Sequence, residues 1–196
     1  MTIPAKTAAT YADLEAVPPH LVAEILFGTL VTHPRPHKRH GGATTVLGMV
    51  TGPPYQLGVG GPGGWIFMDE PELHLGPHIV SPDLAAWRRE RMTETEDKAF
   101  FEVAPDWVCE ALSPSTEKYD RGPKRTIYAL YGVEHLWHLD ARVKCLETFA
   151  RTDKSWLLTG TYFDNEEVRA APFADIAFKL GLLWPFDPPA PSGSIP

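Results

Sequence analysis

The sequence predicts a mixed α+β domain, or an α/β one, built on a mixed sheet, and three observations lead there. Short apolar runs broken by turn residues open the chain. A strand–helix–strand unit follows over residues 107–139, and an alternating antiparallel meander comes after it. Twenty prolines and sixteen glycines in 196 residues favour many turns and short elements over long helices. One domain over residues 1–185 is expected, with a disordered Pro-rich tail at 186–196.

Thr10 is placed to cap a short helix over Tyr11–Ala16, closed by Pro18-Pro19. His20 to His33 alternates as a hairpin turning at Gly28-Thr29. His37 to Val50 carries Ala43, Val46, Leu47 and Val50 at helical spacing, weakened by Gly41-Gly42, and Gly52–Gly64 reads as loop. Extended runs are expected at Trp65–Met68, Glu72–Leu75 and Ile79-Val80, the last leading into Pro82–Trp87. Residues 88–104 are irregular, with Phe100-Phe101 packing back.

Trp107–Leu112 is so continuously apolar that it predicts a strand buried on both faces. Asp120 is placed to cap a helix over Arg121–Tyr131, where Pro123 is tolerable in the first turn and Gly132 stops the helix. The meander is His135–Leu139, a turn at Asp140–Arg142, Lys144–Ala150 and Trp156–Tyr162, and residues 173–184 give a last short strand and helix turn. Trp65, Trp87, Trp107 and Trp137 read as core residues.

A net charge of −7 argues against a generic polyanion binder but leaves room for a locally basic groove. The two cysteines, Cys109 and Cys145, lie in apolar runs and read as reduced packing residues. No apolar stretch approaches a membrane span, so the expectation is a cytoplasmic protein without a membrane partner.

Glu110 is the chain's informative anomaly. A carboxylate inside an apolar strand is expensive to desolvate unless a cation compensates it. Asp83 stands at the entry to the preceding strand. Two acids on neighbouring strands can share a hard divalent cation that keeps waters for a phosphate substrate. Lys124, one turn into the following helix, can reach back to stabilise charge. The plainer reading stays open here: Asp83 caps a turn, Glu110 pairs with an arginine, and Lys124 is solvated. His33, His37 and His40, interspersed with Arg35, Lys38 and Arg39, read as a backbone-contacting basic surface or a solvated helix start rather than a zinc site. Gly60–Gly64 lacks the ending of a phosphate-binding loop, and Ser113 and Ser115 shape a turn. Tyr128 shares a helix face with Lys124 and is expected to pack on its stem.

Pro82-Asp83-Leu84, Glu110–Thr116, Asp120–Lys124, Tyr128, Gly132-Val133 and Trp137–Asp140, with Glu24–Gly28 and His40 upstream, resemble the Uma2 family. That bacterial group is restriction-endonuclease-like and placed in the PD-(D/E)xK nuclease superfamily. The likeness covers about residues 10–185. It implies a restriction-endonuclease-like core with flanking helices, and Mg²⁺ (Mn²⁺ as substitute) held by Asp83, Glu110 and the carbonyl of Ala111. It further implies a catalytic set of Asp83, Glu110, Lys124 and Glu24, acting on DNA of unknown form. The superfamily's lysine position is Leu112 here, and the family is thought to supply the cation from the following helix, as Lys124. Cutting both strands of a duplex often uses two active sites, so a homodimer through the meander is expected. The alternative is a catalytically inactive nuclease-fold module that binds nucleic acid or a protein partner.

Overall fold

The computed structural model describes residues 8–93 and 96–187. The fold starts with α1 (Tyr11–Glu15), where Thr10 and Asp13 cap each other reciprocally. Next come β1 (Leu21–Leu26) and β2 (Thr29–Pro34), a hairpin closed by Phe27 and Gly28. Both residues have positive φ, 51° and 74°, the twist a two-residue hairpin turn requires.

The helix α2 (Lys38–Tyr55) is longer than its sequence suggests and includes Pro53 and Pro54 in its last turn. Residues 52–55 were expected to be loop. The proline pair removes two amide donors, but burial of Thr51, Pro54 and Tyr55 outweighs the local propensity.

Four strands follow: β3 (Trp65–Asp69), β4 (Leu73–Leu75), β5 (His78–Val80) and β6 (Leu84–Arg88). Phe101 packs back from the irregular segment onto Trp87, ring centroids 4.8 Å apart. Then come β7 (Trp107–Ala111), α3 (Glu117–Tyr119), a π-helical turn at Asp120–Lys124 and α4 (Arg125–Leu130). The meander is β8 (His135–Asp140), β9 (Cys145–Thr152) and β10 (Ser155–Phe163). A two-stranded ribbon of β11 (Glu167–Val168) and β12 (Phe178–Lys179), followed by a short 3-10 turn at Leu180–Leu183, ends the described fold.

The central sheet runs β10-β9-β8-β7-β6-β3. Only its β7–β8 pair is parallel, joined through the helical run between them as a strand–helix–strand unit requires. A second sheet, β2-β1-β5-β4, lies on one side. Strand β7 shows why its sequence is so apolar. Trp107, Cys109 and Ala111 belong to a core shared with α2, while Val108 belongs to a second core with Ile127 and Tyr128 of α4 and Leu73 and Val80 of the other sheet. Trp65, Trp87, Trp107 and Trp137 are all buried in these cores, and both cysteines are free and buried.

Asp120 is not the helix cap expected of it. The helical run begins earlier, at Glu117, and Asp120 sits inside it with helical φ and ψ of −64° and −46°. The widened π turn accommodates Pro123, which has no amide to donate, and swings both Asp120 and Lys124 into the interior. Of the expected tail, Phe186 and Asp187 are described, and Asp187 pairs with Arg39 and Lys144 at 2.8 and 2.6 Å. Residues 188–196 lie outside the described residues. Among the described residues no helix is long and apolar enough to cross a membrane.

Candidate active site

Asp83 ends the loop before β6, and the antiparallel register Leu84↔Cys109 sets it beside Glu110 on the adjacent strand. Paired positions share a face, and this one looks toward α4 and the second sheet. Glu24 comes from β1 of that sheet and Lys124 from the π turn. The expected set of Asp83, Glu110, Glu24 and Lys124 therefore converges from four elements.

Lys124 Nζ lies 2.8 Å from Glu110 Oε1, 3.0 Å from Glu24 Oε1 and 3.6 Å from Asp120 Oδ1. It also donates to the Ser81 carbonyl oxygen at 3.2 Å. Glu24 Oε1 accepts the Ser81 amide at 2.8 Å, and His33 Nε2 stands 3.7 Å from its other oxygen. Asp83 holds two partners: one oxygen accepts the Ala111 amide at 2.7 Å, and the other lies 2.5 Å from His40 Nε2. The Tyr128 hydroxyl donates to Glu110 Oε1 at 2.5 Å. Leu112 is buried away from this network in the wall of a neighbouring pocket.

The electrostatics follow from three acids, Glu110, Glu24 and Asp120, gathered around one ammonium. Burial pushes Glu110 well above the usual carboxylate range; Lys124 opposes this, while Asp120, Asp83 and Glu24 reinforce it. Burial also pushes Glu24 up, yet Lys124, His33 and the Ser81 amide together outweigh it and hold Glu24 below its ordinary value. The same lysine thus serves two glutamates with opposite outcomes, because Glu110 has more acids nearby and Glu24 more donors. Asp120 is raised to about 6, chiefly by burial. Burial alone would discharge Lys124, but Glu110 and Glu24 keep it protonated, well above its usual range. His40 is likewise raised by Asp83 against its own burial.

Sequence reasoning missed three participants. His40 stood out in a basic cluster and in the family resemblance, neither of which announces its bond to Asp83. Asp120 had a signal, its i,i+4 spacing from Lys124, that reads equally well as a cap. Tyr128 was expected to pack on the lysine stem, whereas its hydroxyl grips Glu110. Lys124 is itself buried, at 3% exposure, so the solvated-lysine reading does not hold.

Asp83, Glu110 and the Ala111 carbonyl offer hard oxygen donors of the kind Mg²⁺ takes. The excess of acids over cations around them also suits a dication. Among the described residues no three His, Cys, Asp or Glu side chains are grouped to hold a metal by themselves, so such an ion would depend on the carbonyl and on water as well. A small cleft of about 40 Å³, lined by His40, Asp83, Glu110, Asp120 and Lys124 among others, opens the cluster to solvent.

The chain thus folds as a mixed sheet with Asp83 and Glu110 on neighbouring strands and Lys124 supplied by the succeeding helical run. Residues 8–182 match the family described as "Uma2: Putative restriction endonuclease", and the chain belongs to the Uma2 family. Its fold is similar to that of a solved structure described as "a putative nuclease belonging to DUF820", from Anabaena variabilis ATCC 29413. The TM-score is 0.68, with 18% sequence identity over 90% of this chain and 97% of that one. At that identity the likeness is one of fold. No curated protein matches the chain.

Proposed function

We propose that this protein is a Mg²⁺-dependent endonuclease that hydrolyses DNA phosphodiester bonds, with Mn²⁺ able to substitute. The observation that carries the reading is the burial of a protonated Lys124 against Glu110, 2.8 Å away, where position 112 supplies no cation. Asp83, Glu110 and the Ala111 carbonyl are the proposed metal ligands. When bound, the ion would neutralise phosphate charge and lower the pKa of a water.

The protein's own part is positioning. Lys124, held by Glu24 and the Ser81 carbonyl, presents a fixed positive charge to a phosphate entering the cleft. Glu24 acts through Lys124, keeping its ammonium protonated and aimed at Glu110. Tyr128 fixes Glu110 by occupying one of its oxygens, which leaves the other for a ligand. His40 fixes Asp83. Incubating supercoiled and linear DNA with the protein in Mg²⁺, Mn²⁺ or EDTA tests the reading. Cleavage that needs the metal and is lost in Asp83→Asn supports it; unchanged cleavage in that variant sinks it.

One observation favours a second reading, a nuclease-fold module that binds nucleic acid or a protein without cutting. Both Asp83 oxygens are already engaged, by Ala111 and His40. DNA binding with no cleavage under any metal is its signature.

We also propose a homodimer that joins through the edge strand β10. Its nine residues carry no charge and no proline, and Leu157, Leu158 and Phe163 are exposed. Edge strands are ordinarily guarded by charge, proline or a bulge; β10 has only the irregularity between Leu158 and Gly160, and its uncharged remainder suits pairing with a second copy. The free buried cysteines suit a reducing, cytoplasmic setting.

A further inference from the structure

A second and larger cavity opens beside the acid cleft. It measures about 630 Å³ and lies between the start of α2 and the turn that follows β7. His40 and Ser113 line both spaces, so the cavity continues directly from the place where a phosphate would react. Its walls combine two chemistries: Pro36, Pro114 and Ala141 are apolar, whereas Lys38, Arg39 and Arg142 are cationic.

The cations differ in freedom. Arg39 is tied to Asp187 at 2.8 Å. Arg142 is clamped by Asp140 at 2.6 Å and Glu117 at 2.7 Å, which makes its guanidinium a plane of fixed orientation. Lys38 is exposed, with its ammonium 5.8 Å from the centroid of the Phe186 ring and no carboxylate partner among the described residues. With Arg39 and Arg142 held by carboxylates, Lys38 is the wall cation left to meet one phosphate.

We propose that this cavity receives a nucleotide of single-stranded DNA next to the bond being cut. The inference rests on the nuclease reading and names the form of its substrate. A nucleotide matches both wall types. Its base has an apolar face for Pro36, Pro114 and Ala141 and for the Arg142 plane, and its flanking phosphate reaches Lys38. Ligand pockets span about 300–1,000 Å³, so the cavity has room for base and sugar. A base in duplex DNA is stacked and paired, and it enters such a cavity only after leaving the helix, which takes a few kcal/mol. A single strand avoids that penalty, so the cavity selects for single-stranded or frayed substrate.

The test is fluorescence anisotropy with a labelled 12-nucleotide single strand and the corresponding duplex, in Ca²⁺ buffer to hold back cleavage, followed by cleavage of both in Mg²⁺. Lys38→Glu reverses an exposed charge, and Ala141→Trp fills the cavity; thermal melting shows whether each variant folds. Wild type is expected to bind the single strand at least about tenfold more tightly than duplex, since one stacked base contributes on that scale. Each pocket variant is expected to lose most of that preference. Equal affinity for single strand and duplex, or a folded Lys38→Glu that binds the single strand as wild type does, overturns the inference. If wild type cuts DNA and the pocket variants bind like it, only the cavity proposal falls. If wild type neither binds nor cuts any DNA, the nuclease reading falls and takes this inference with it.

Discussion

Lys124 and Glu110 meet at 2.8 Å inside the protein, both 1–3% exposed, although one sits in a π turn and the other in a strand. Neither residue tolerates burial alone. Their pairing explains how a carboxylate survives in an apolar strand.

Removing one partner of a buried ion pair strands the other. Lys124→Met should destabilise the fold by roughly 3–5 kcal/mol, read as a drop in urea midpoint at unchanged slope. Adding Glu110→Gln and Glu24→Gln in that background should recover much of the loss, because the orphaned charges are then gone. A loss in Lys124→Met under 1 kcal/mol would show that water reaches the lysine.

Tyr128→Phe removes only a hydroxyl, yet that hydroxyl is a charge-assisted donor to Glu110. Stability should fall by about 1.5–3 kcal/mol. Metal affinity, followed by calorimetry, should fall as well, since Glu110 loses the bond that fixes its orientation. A variant that matches wild type in both measurements would reduce Tyr128 to the packing role first expected of it.

His138 provides a pH signature. It faces Glu110 across the parallel β7–β8 register, both ring nitrogens are buried without partners, and burial lowers its pKa to about 3, with Arg121 nearby adding to the effect. In the unfolded chain it takes a proton near pH 6.5, so acidification favours unfolding. The stability tied to its neutral form is present above pH 6.5 and is lost as pH falls toward 3, at up to about 1.4 kcal/mol per pH unit. His138→Leu should flatten that acid limb in denaturation curves collected from pH 7 to pH 4. An unchanged limb would place the titration elsewhere.

The uncharged edge of β10 makes a prediction about assembly. Leu158→Lys should halve the mass measured by light scattering on a sizing column while leaving the circular dichroism spectrum intact, since a charged edge resists strand pairing. A wild-type protein that is monomeric at high micromolar concentration would refute the dimer.

Much of this architecture was legible because its causes are local. The doubly buried β7 announced itself through an unbroken apolar run, and Glu110 through its misfit there. The spacing of Asp83, Glu110 and Lys124 came with the family resemblance. What escaped was set by tertiary packing. Gly52–Gly64 reads as loop, but burial of Tyr55 carries α2 through Pro53-Pro54. Asp120 looked like a cap because the π turn that turns it inward leaves no sequence signature beyond Pro123. The bond from His40 to Asp83 joins residues forty-three positions apart, and no spacing rule reaches that far.

The most direct test of the acid pair as a metal centre is anomalous diffraction from crystals soaked in Mn²⁺. The account predicts a single strong peak shared by a carboxylate oxygen of Asp83 and one of Glu110, with the Ala111 carbonyl oxygen completing the protein's share of the ligands. His40 should be displaced from the Asp83 oxygen it holds. Saturating Mn²⁺ with no peak between Asp83 and Glu110, and the His40–Asp83 bond intact, would contradict it.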